Sequence, residues 1–141
     1  MLYMDDGLKS AVEREGEKAY PNECCGVLFG EVGESGDKRV RLIEPIVNSH
    51  EESEKYHRFL ITPDDVLAAE LKARSLKFDV LGFYHSHPDC PAEPSDYDRE
   101  HALPFYSYVI TSVNKGEAKD FKSWELVGDR SGFIPEEVKE G

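Results

Sequence analysis

The residues best suited to chemistry lie in one segment, His85-Ser86-His87-Pro88-Asp89-Cys90-Pro91-Ala92-Glu93-Pro94-Ser95-Asp96-Tyr97-Asp98. His85 and His87 are two apart at the end of a strand-like run, a spacing that sends both rings to the same side. Two imidazoles so placed can reach one ion at about 2.0–2.1 Å. Pro88 then ends the strand and fixes the exit of the loop. A third ligand has to return from the following helix, where Asp98 is the best-placed carboxylate. Two histidines, one carboxylate and an open position describe a catalytic zinc centre rather than a closed structural one. Zinc brings the pKa of a bound water down to about 7 and polarises a carbonyl, and a nearby carboxylate can then take the water's proton. Spacing does not choose that carboxylate. Asp89, Glu93 and Glu100 are equally reasonable bases.

Each part also has a plainer meaning. Ser95-x-x-Asp98 is a helix capping box, and that is its usual sense in isolation. A lone His-x-His pair is usually surface or core histidine. Both readings of Ser95 are compatible, because a hydroxyl can cap a helix and still face a site. His101 follows Asp98 by three residues and shares its helix face; solvent exposure is expected for it, with a place near the metal as the alternative. Cys24 and Cys25 read as small core residues at a strand start. Cys90 lies in the loop beside the proposed metal, with its role open. Asn48, Tyr56 and Arg58 flank a polar loop and could hold a substrate tail, though surface polarity explains them more simply.

The elements around this segment can be read in order. Leu8, Ala11, Val12 and Ala19 recur at helical spacing, predicting an amphipathic helix over 7–19 that ends near Pro21. The run from Cys25 to Val32 is short and apolar enough for a buried strand, and Gly33 and Gly36 turn the chain toward a returning strand, Lys38 to Ile43. Pro45 interrupts the alternation there, which points to a bulge or an edge. Residues 48–57 form a polar surface loop, followed by a short strand from Phe59 to Ile61. Thr62-Pro63-Asp64-Asp65 starts a helix running to about Leu76. Val66, Ala69, Ala73 and Leu76 should line its buried face, widened by Leu67 and Leu71. Asp79 to Tyr84 leads to the histidines. The Pro88–Pro94 loop comes next, then a short helix from Ser95 to about Leu103. Tyr108 to Val113 and Phe121 to Val127 form a hairpin about Asn114-Lys115-Gly116, with Trp124 and Leu126 on one face. Helices interleaved with strands predict an α/β fold, a mixed β-sheet flanked by helices.

Composition excludes several classes. The chain has 141 residues, 39% hydrophobic and 33% charged, which fits one soluble domain over residues 1–141. No apolar run approaches the roughly 18 residues of a membrane helix, so no membrane partner is expected. Met1 to Gly7 has no basic start or apolar stretch, which makes the cytoplasm the expected location. Three cysteines, two of them adjacent, suit reduced thiols rather than a disulfide framework or a structural zinc knuckle. A net charge of -12 argues against general nucleic-acid binding.

His85-Ser86-His87-Pro88, then Pro94-Ser95 and Asp98, resembles the signature of the JAMM/MPN superfamily of zinc metalloproteases. That signature also has a glutamate well upstream, before a strand, and Glu23 in Pro21-Asn22-Glu23-Cys24-Cys25-Gly26 occupies its place. The resemblance implies that His85, His87 and Asp98 hold Zn2+, with water as the fourth ligand. It implies that Glu23 takes a proton from that water and returns one to the leaving amine, and that Ser95 hydrogen-bonds the oxyanion. It further implies an MPN fold, related in architecture to the cytidine deaminases.

Pro-x-Glu-Cys-Cys-Gly and His-Ser-His-Pro-Asp-x-Pro-Ala look most like the compact prokaryotic members. The implied function is hydrolysis of a peptide or isopeptide bond after the glycine-ended tail of a ubiquitin-like or sulfur-carrier protein. Such a tail can pair along a sheet edge. Competing readings are a non-catalytic scaffold, which usually lacks one or more ligands, and a DNA-repair-associated branch, disfavoured by the acidic composition. A zinc deaminase is excluded, since the chain has neither His-x-Glu or Cys-x-Glu nor Pro-Cys-x-x-Cys. Oligomeric state is left open.

Overall fold

A computed structural model describes residues 1–46, 61–129 and 131–141. Its elements in chain order are β1 (Leu2–Tyr3), α1 (Asp6–Ala19), β2 (Cys25–Val32), β3 (Lys38–Ile46) and α2 (Pro63–Leu76), followed by β4 (Asp79–Pro88), α3 (Asp96–His101), β5 (Ser107–Asn114), β6 (Glu117–Leu126), β7 (Phe133–Glu136) and β8 (Val138–Lys139). The strands form one mixed sheet in the order β7-β6-β5-β4-β2-β3-β1-β8. The expected α/β architecture is therefore present.

The middle of the sheet holds β4, antiparallel to β2 and parallel to β5. A strand covered on both faces is apolar at every position rather than at alternate ones. Val80-Leu81-Gly82-Phe83-Tyr84 has that character, and all five residues are buried. On one face Leu81, Tyr84, Leu28 and Val109 pack with Val12 of α1. On the other, Phe83, Val27, Phe29 and Tyr108 pack with Ala69 and Ala73 of α2. Gly82 permits the tight β4–β5 pairing, because a Cβ there would fall 1.9 Å from the Ser107 carbonyl oxygen.

Local chemistry starts each helix. Asp5 caps α1, accepting the Leu8 N–H at 2.8 Å. Thr62 and Asp65 form the reciprocal box at the head of α2, with Pro63 in the first turn. The predicted α2 face is narrower than its leucines suggested. Ala69 and Ala73 are buried, but Leu67, Leu71 and Leu76 are 58%, 54% and 38% exposed. Two alanines let the helix axis approach the sheet closely, and the leucines fall to the outer side of that narrow stripe.

Other differences are small and have local causes. Both β1 and β8 are two residues long, too short for alternation to show, yet β1 fits between β3 and β8, parallel to both. Pro45 remains within β3, in register with Gly26. Since β1 pairs only with Lys38 and Arg39, Pro45 lies on a stretch of β3 that β1 does not cover. The register irregularity between β2 and β3 falls at Phe29/Gly30 instead. α3 stops at His101, short of Leu103, while β6 begins at Glu117, ahead of Phe121. The predicted loop over 48–57, with Asn48, Tyr56 and Arg58, and the strand residues 59 and 60 lie outside the described residues; Ile61 belongs to no regular element. Among the described residues no helix is long and apolar enough to cross a membrane.

Candidate metal centre

Alternation along β4 sets two different faces to work. Tyr84 and Ser86 point toward α1, while Phe83, His85 and His87 point toward α2 and α3. His85 is 1% exposed and His87 7%. Asp98 arrives from α3, one turn into the helix capped by Ser95.

The three side chains converge on one point. His85 Nε2 and His87 Nε2 are 2.9 Å apart, His87 Nε2 is 3.2 Å from Asp98 Oδ2, and His85 Nε2 is 3.5 Å from Asp98 Oδ1. An ion bound tetrahedrally at about 2.0–2.1 Å separates its ligand atoms by about 3.3 Å. The His85–His87 and His87–Asp98 contacts lie close to that edge, His85 faces the other Asp98 oxygen, and one atom from each residue lies within 4.8 Å of the others, so the residues present fit a zinc ion. His87 Nδ1 lies 2.9 Å from the Pro91 carbonyl oxygen. A proton held on Nδ1 by that acceptor leaves the Nε2 lone pair facing the other donors.

Electrostatics favour the ligating forms. Burial pushes the basicity of His85 down, outweighing the pull of Asp98 in the other direction. Burial alone would raise Asp98, but the two imidazoles and the Ser95 backbone N–H overcome it and hold the carboxyl well below the usual range. A neutral imidazole and an ionised carboxylate are what a cation requires.

Strand pairing ties the Glu23 segment to β4. Cys25 is in register with His85, so both side chains share a face. The ladder continues beyond the strand start, since Ser86 N–H donates to the Cys24 carbonyl at 3.1 Å and Cys24 N–H to Ser86 Oγ at 2.9 Å. Glu23 directly precedes Cys24 and is only 9% exposed. The other candidate bases differ in burial or partner. Glu93 and Glu100 are exposed, and Asp89 directs its carboxylate to Tyr20 and Lys115.

Ser95 serves as the N-cap of α3. Its Oγ accepts the Asp98 N–H at 3.1 Å, and Asp98 Oδ2 accepts the Ser95 N–H at 2.9 Å. As acceptor in that bond, the hydroxyl keeps its own proton for a further partner. His101 is exposed, as expected, yet it lines an apolar pocket that opens beside His85 and Asp98, with Val66, Leu103 and Phe133 among its walls. Burial raises the Cys24 thiol to about 11 and the Cys25 thiol further, so neither is a thiolate at neutral pH. Cys90 is exposed.

Several supporting residues were not singled out from sequence. Trp124 Nε1 donates to the Ala92 carbonyl at 3.0 Å and Ser112 Oγ to the Cys90 carbonyl at 2.5 Å. These bonds tie the loop between the histidines and Asp98 to β5 and β6. The lone tryptophan was a usable signal, because a half-buried indole N–H seeks an acceptor. The serine carried none.

Comparison with known proteins gives a consistent picture. Residues 6–127 match the family described as prokaryotic homologues of the JAB domain. A desampylase from Haloferax volcanii is 36% identical over 93 residues, 65% of this chain and 63% of that protein. A desampylase from Pyrococcus furiosus is 34% identical over 104 residues, 74% of this chain and 66% of that protein. The chain thus spans just under two thirds of the length of these curated relatives. The solution structure of a protein from Salinibacter ruber, 39% identical, superposes with a TM-score of 0.76 over 100% of this chain and 92% of its own. The crystal structure of a JAB1/MPN domain protein from Archaeoglobus fulgidus, 18% identical, shares the fold with a TM-score of 0.59, covering 99% of this chain and 97% of that one.

Proposed function

The chain belongs to the family of prokaryotic homologues of the JAB domain, and from that premise we propose that it is a zinc-dependent peptide or isopeptide hydrolase. Its substrate is the glycine-ended tail of a ubiquitin-like or sulfur-carrier protein, cut in the cytoplasm by one domain over residues 1–141. The observation that carries this reading is the cluster of His85, His87 and Asp98, whose ligand atoms lie within 4.8 Å of one another with both histidines buried. The two relatives named desampylase support the substrate class.

His85, His87 and Asp98 would hold the ion in this reading. When bound, zinc supplies a Lewis acid that acidifies a water to about pKa 7 and polarises the scissile carbonyl. Glu23 takes the proton released by the attacking water and later delivers it to the departing amine. Ser95 donates its free hydroxyl proton to the carbonyl oxygen as negative charge gathers there. His87 keeps its ring orientation through Pro91, so its donor needs no rearrangement. The apolar pocket beside Asp98 suits the non-polar part of an extended tail.

The test begins with protein purified without added metal. About one zinc per chain is expected, with turnover of a carrier whose glycine-ended tail is extended by one residue. Chelation should stop turnover and zinc should restore it, whereas Glu23→Gln should keep zinc and lose turnover. Failure to take up zinc, or turnover indifferent to chelation, overturns the reading.

A further inference from the structure

We propose that the Tyr20–Asp89 hydrogen bond is a positioning device for Glu23, setting the reach of its carboxylate to the attacking water. This role rests on Glu23 being the proton carrier of the proposed hydrolysis.

Glu23 lies on a connecting stretch with no regular structure, between α1 and β2, yet it is buried. A buried carboxylate on irregular chain needs anchors on both sides to hold a catalytic position. Downstream, Cys24 exchanges two hydrogen bonds with Ser86, the residue between His85 and His87. Upstream, Tyr20 at the end of α1 donates its hydroxyl to Asp89 Oδ2 at 2.6 Å, across 69 positions in sequence. Asp89 is two residues past His87. Both anchors of the Glu23 segment therefore land beside proposed metal ligands.

The Asp89 end of this link is firmly held. Its backbone N–H donates to the Val113 carbonyl at 2.7 Å, and its Oδ1 accepts the Lys115 N–H at 2.9 Å. Its backbone is in the left-handed region, φ 54°, which Asp tolerates better than most residues. Asp89 thus fuses the exit of β4 to the β5–β6 turn, and Tyr20 is the arm that reaches back to α1. A short bond to an ionised acceptor is geometrically demanding. Because it is exposed, its contribution to global stability is small, so its consequence falls on alignment. A misplacement of about 1 Å can cost up to 100-fold in rate.

The deciding variant is Tyr20→Phe, which removes one hydroxyl and keeps the ring. In the zinc-loaded protein, metal content, zinc affinity and KM should be unchanged, while kcat falls on the order of tenfold. Amide exchange at Asn22 and Glu23 should quicken, in zinc-free and zinc-loaded protein alike. Single-turnover rates in a Glu23→Ala background should show no further loss on adding Tyr20→Phe, because the link acts through Glu23. An unchanged kcat, lost zinc, or an equal loss in both backgrounds overturns the proposal. A wild type without zinc-dependent turnover instead overturns the hydrolase reading, and this role falls with it.

Discussion

Asp98 Oδ2 accepts the Ser95 backbone N–H at 2.9 Å and also lies 3.2 Å from His87 Nε2. One oxygen therefore joins a helix capping box and faces a candidate metal ligand, while Asp98 Oδ1 lies 3.5 Å from His85 Nε2. A carboxylate oxygen has two lone pairs, so the two duties do not compete. The cap fixes where the oxygen sits, and the first turn of α3 becomes a rigid mount for a ligand.

Asp98→Asn separates the two duties. The amide oxygen can still accept the Ser95 N–H, whereas its charge is gone and a neutral amide is a poor zinc ligand. The zinc-free variant should melt within a few degrees of wild type, yet bind no zinc and turn over no substrate. Asp98→Ala should also lose the bond from the Ser95 backbone N–H while the Ser95 Oγ cap remains, leaving the zinc-free protein less stable than Asp98→Asn. Metal analysis beside thermal melts reads both. A stoichiometric zinc in Asp98→Asn would remove Asp98 from the donor set.

Ser95→Gly isolates the hydroxyl. Glycine is accepted at an N-cap at a cost of only a few tenths of a kcal/mol, whereas alanine costs about 1 kcal/mol. Removing one oxyanion donor lowers kcat by about 100- to 1000-fold. Ser95→Gly should thus keep its zinc and nearly all its stability while losing most of its kcat. Steady-state kinetics on the zinc-loaded variant decide it; a kcat within twofold of wild type would leave Ser95 as a cap alone.

The cluster of His85, His87 and Asp98 was legible because its spacing is local. His85 and His87 share a face by strand alternation, and Asp98 is placed by a box only four residues long. Glu23 was not legible from spacing, because its segment meets β4 only through the β2–β4 pairing that begins two residues later, between residues about 60 positions apart. Only the family resemblance pointed to it. Leu67 and Leu71 were misread as buried because periodicity reports an apolar stripe but not how closely the helix approaches its sheet. The Tyr20–Asp89 and Trp124–Ala92 bonds depend on the fold itself and leave no periodic trace.

The zinc-free protein should weaken in acid. His85 has its folded-state basicity lowered by burial, so below the ordinary imidazole value of about 6.5 the unfolded chain binds its proton first. Stability then rises with pH across that window and falls as acid is added. Asp98, also held low, adds a loss in the same direction at lower pH still. Imidazole NMR shifts of the zinc-free protein should show His85 neutral at pH 6.5. A titration at or above 6.5 would contradict the burial argument and the ready-made ligand with it.

Glu15 should have the opposite sign. Burial raises its carboxyl above the ordinary value, partly offset by the Tyr84 hydroxyl, which donates to both its oxygens at 2.9 Å, and by Lys18. The folded state therefore binds the Glu15 proton more readily than the unfolded chain, and this contribution to stability is lost as pH rises through the folded value. Glu15→Gln removes the charge that burial penalises while its amide oxygen still accepts the Tyr84 O–H. The variant should be more stable than wild type at pH 7.5, with the advantage fading toward pH 4.5. Glu15 is only partly buried, so solvent screening keeps the gain below about 1 kcal/mol. Urea midpoints at the two pH values measure it. A variant less stable than wild type at pH 7.5 would mean that the charged hydrogen bond to Tyr84 outweighs desolvation.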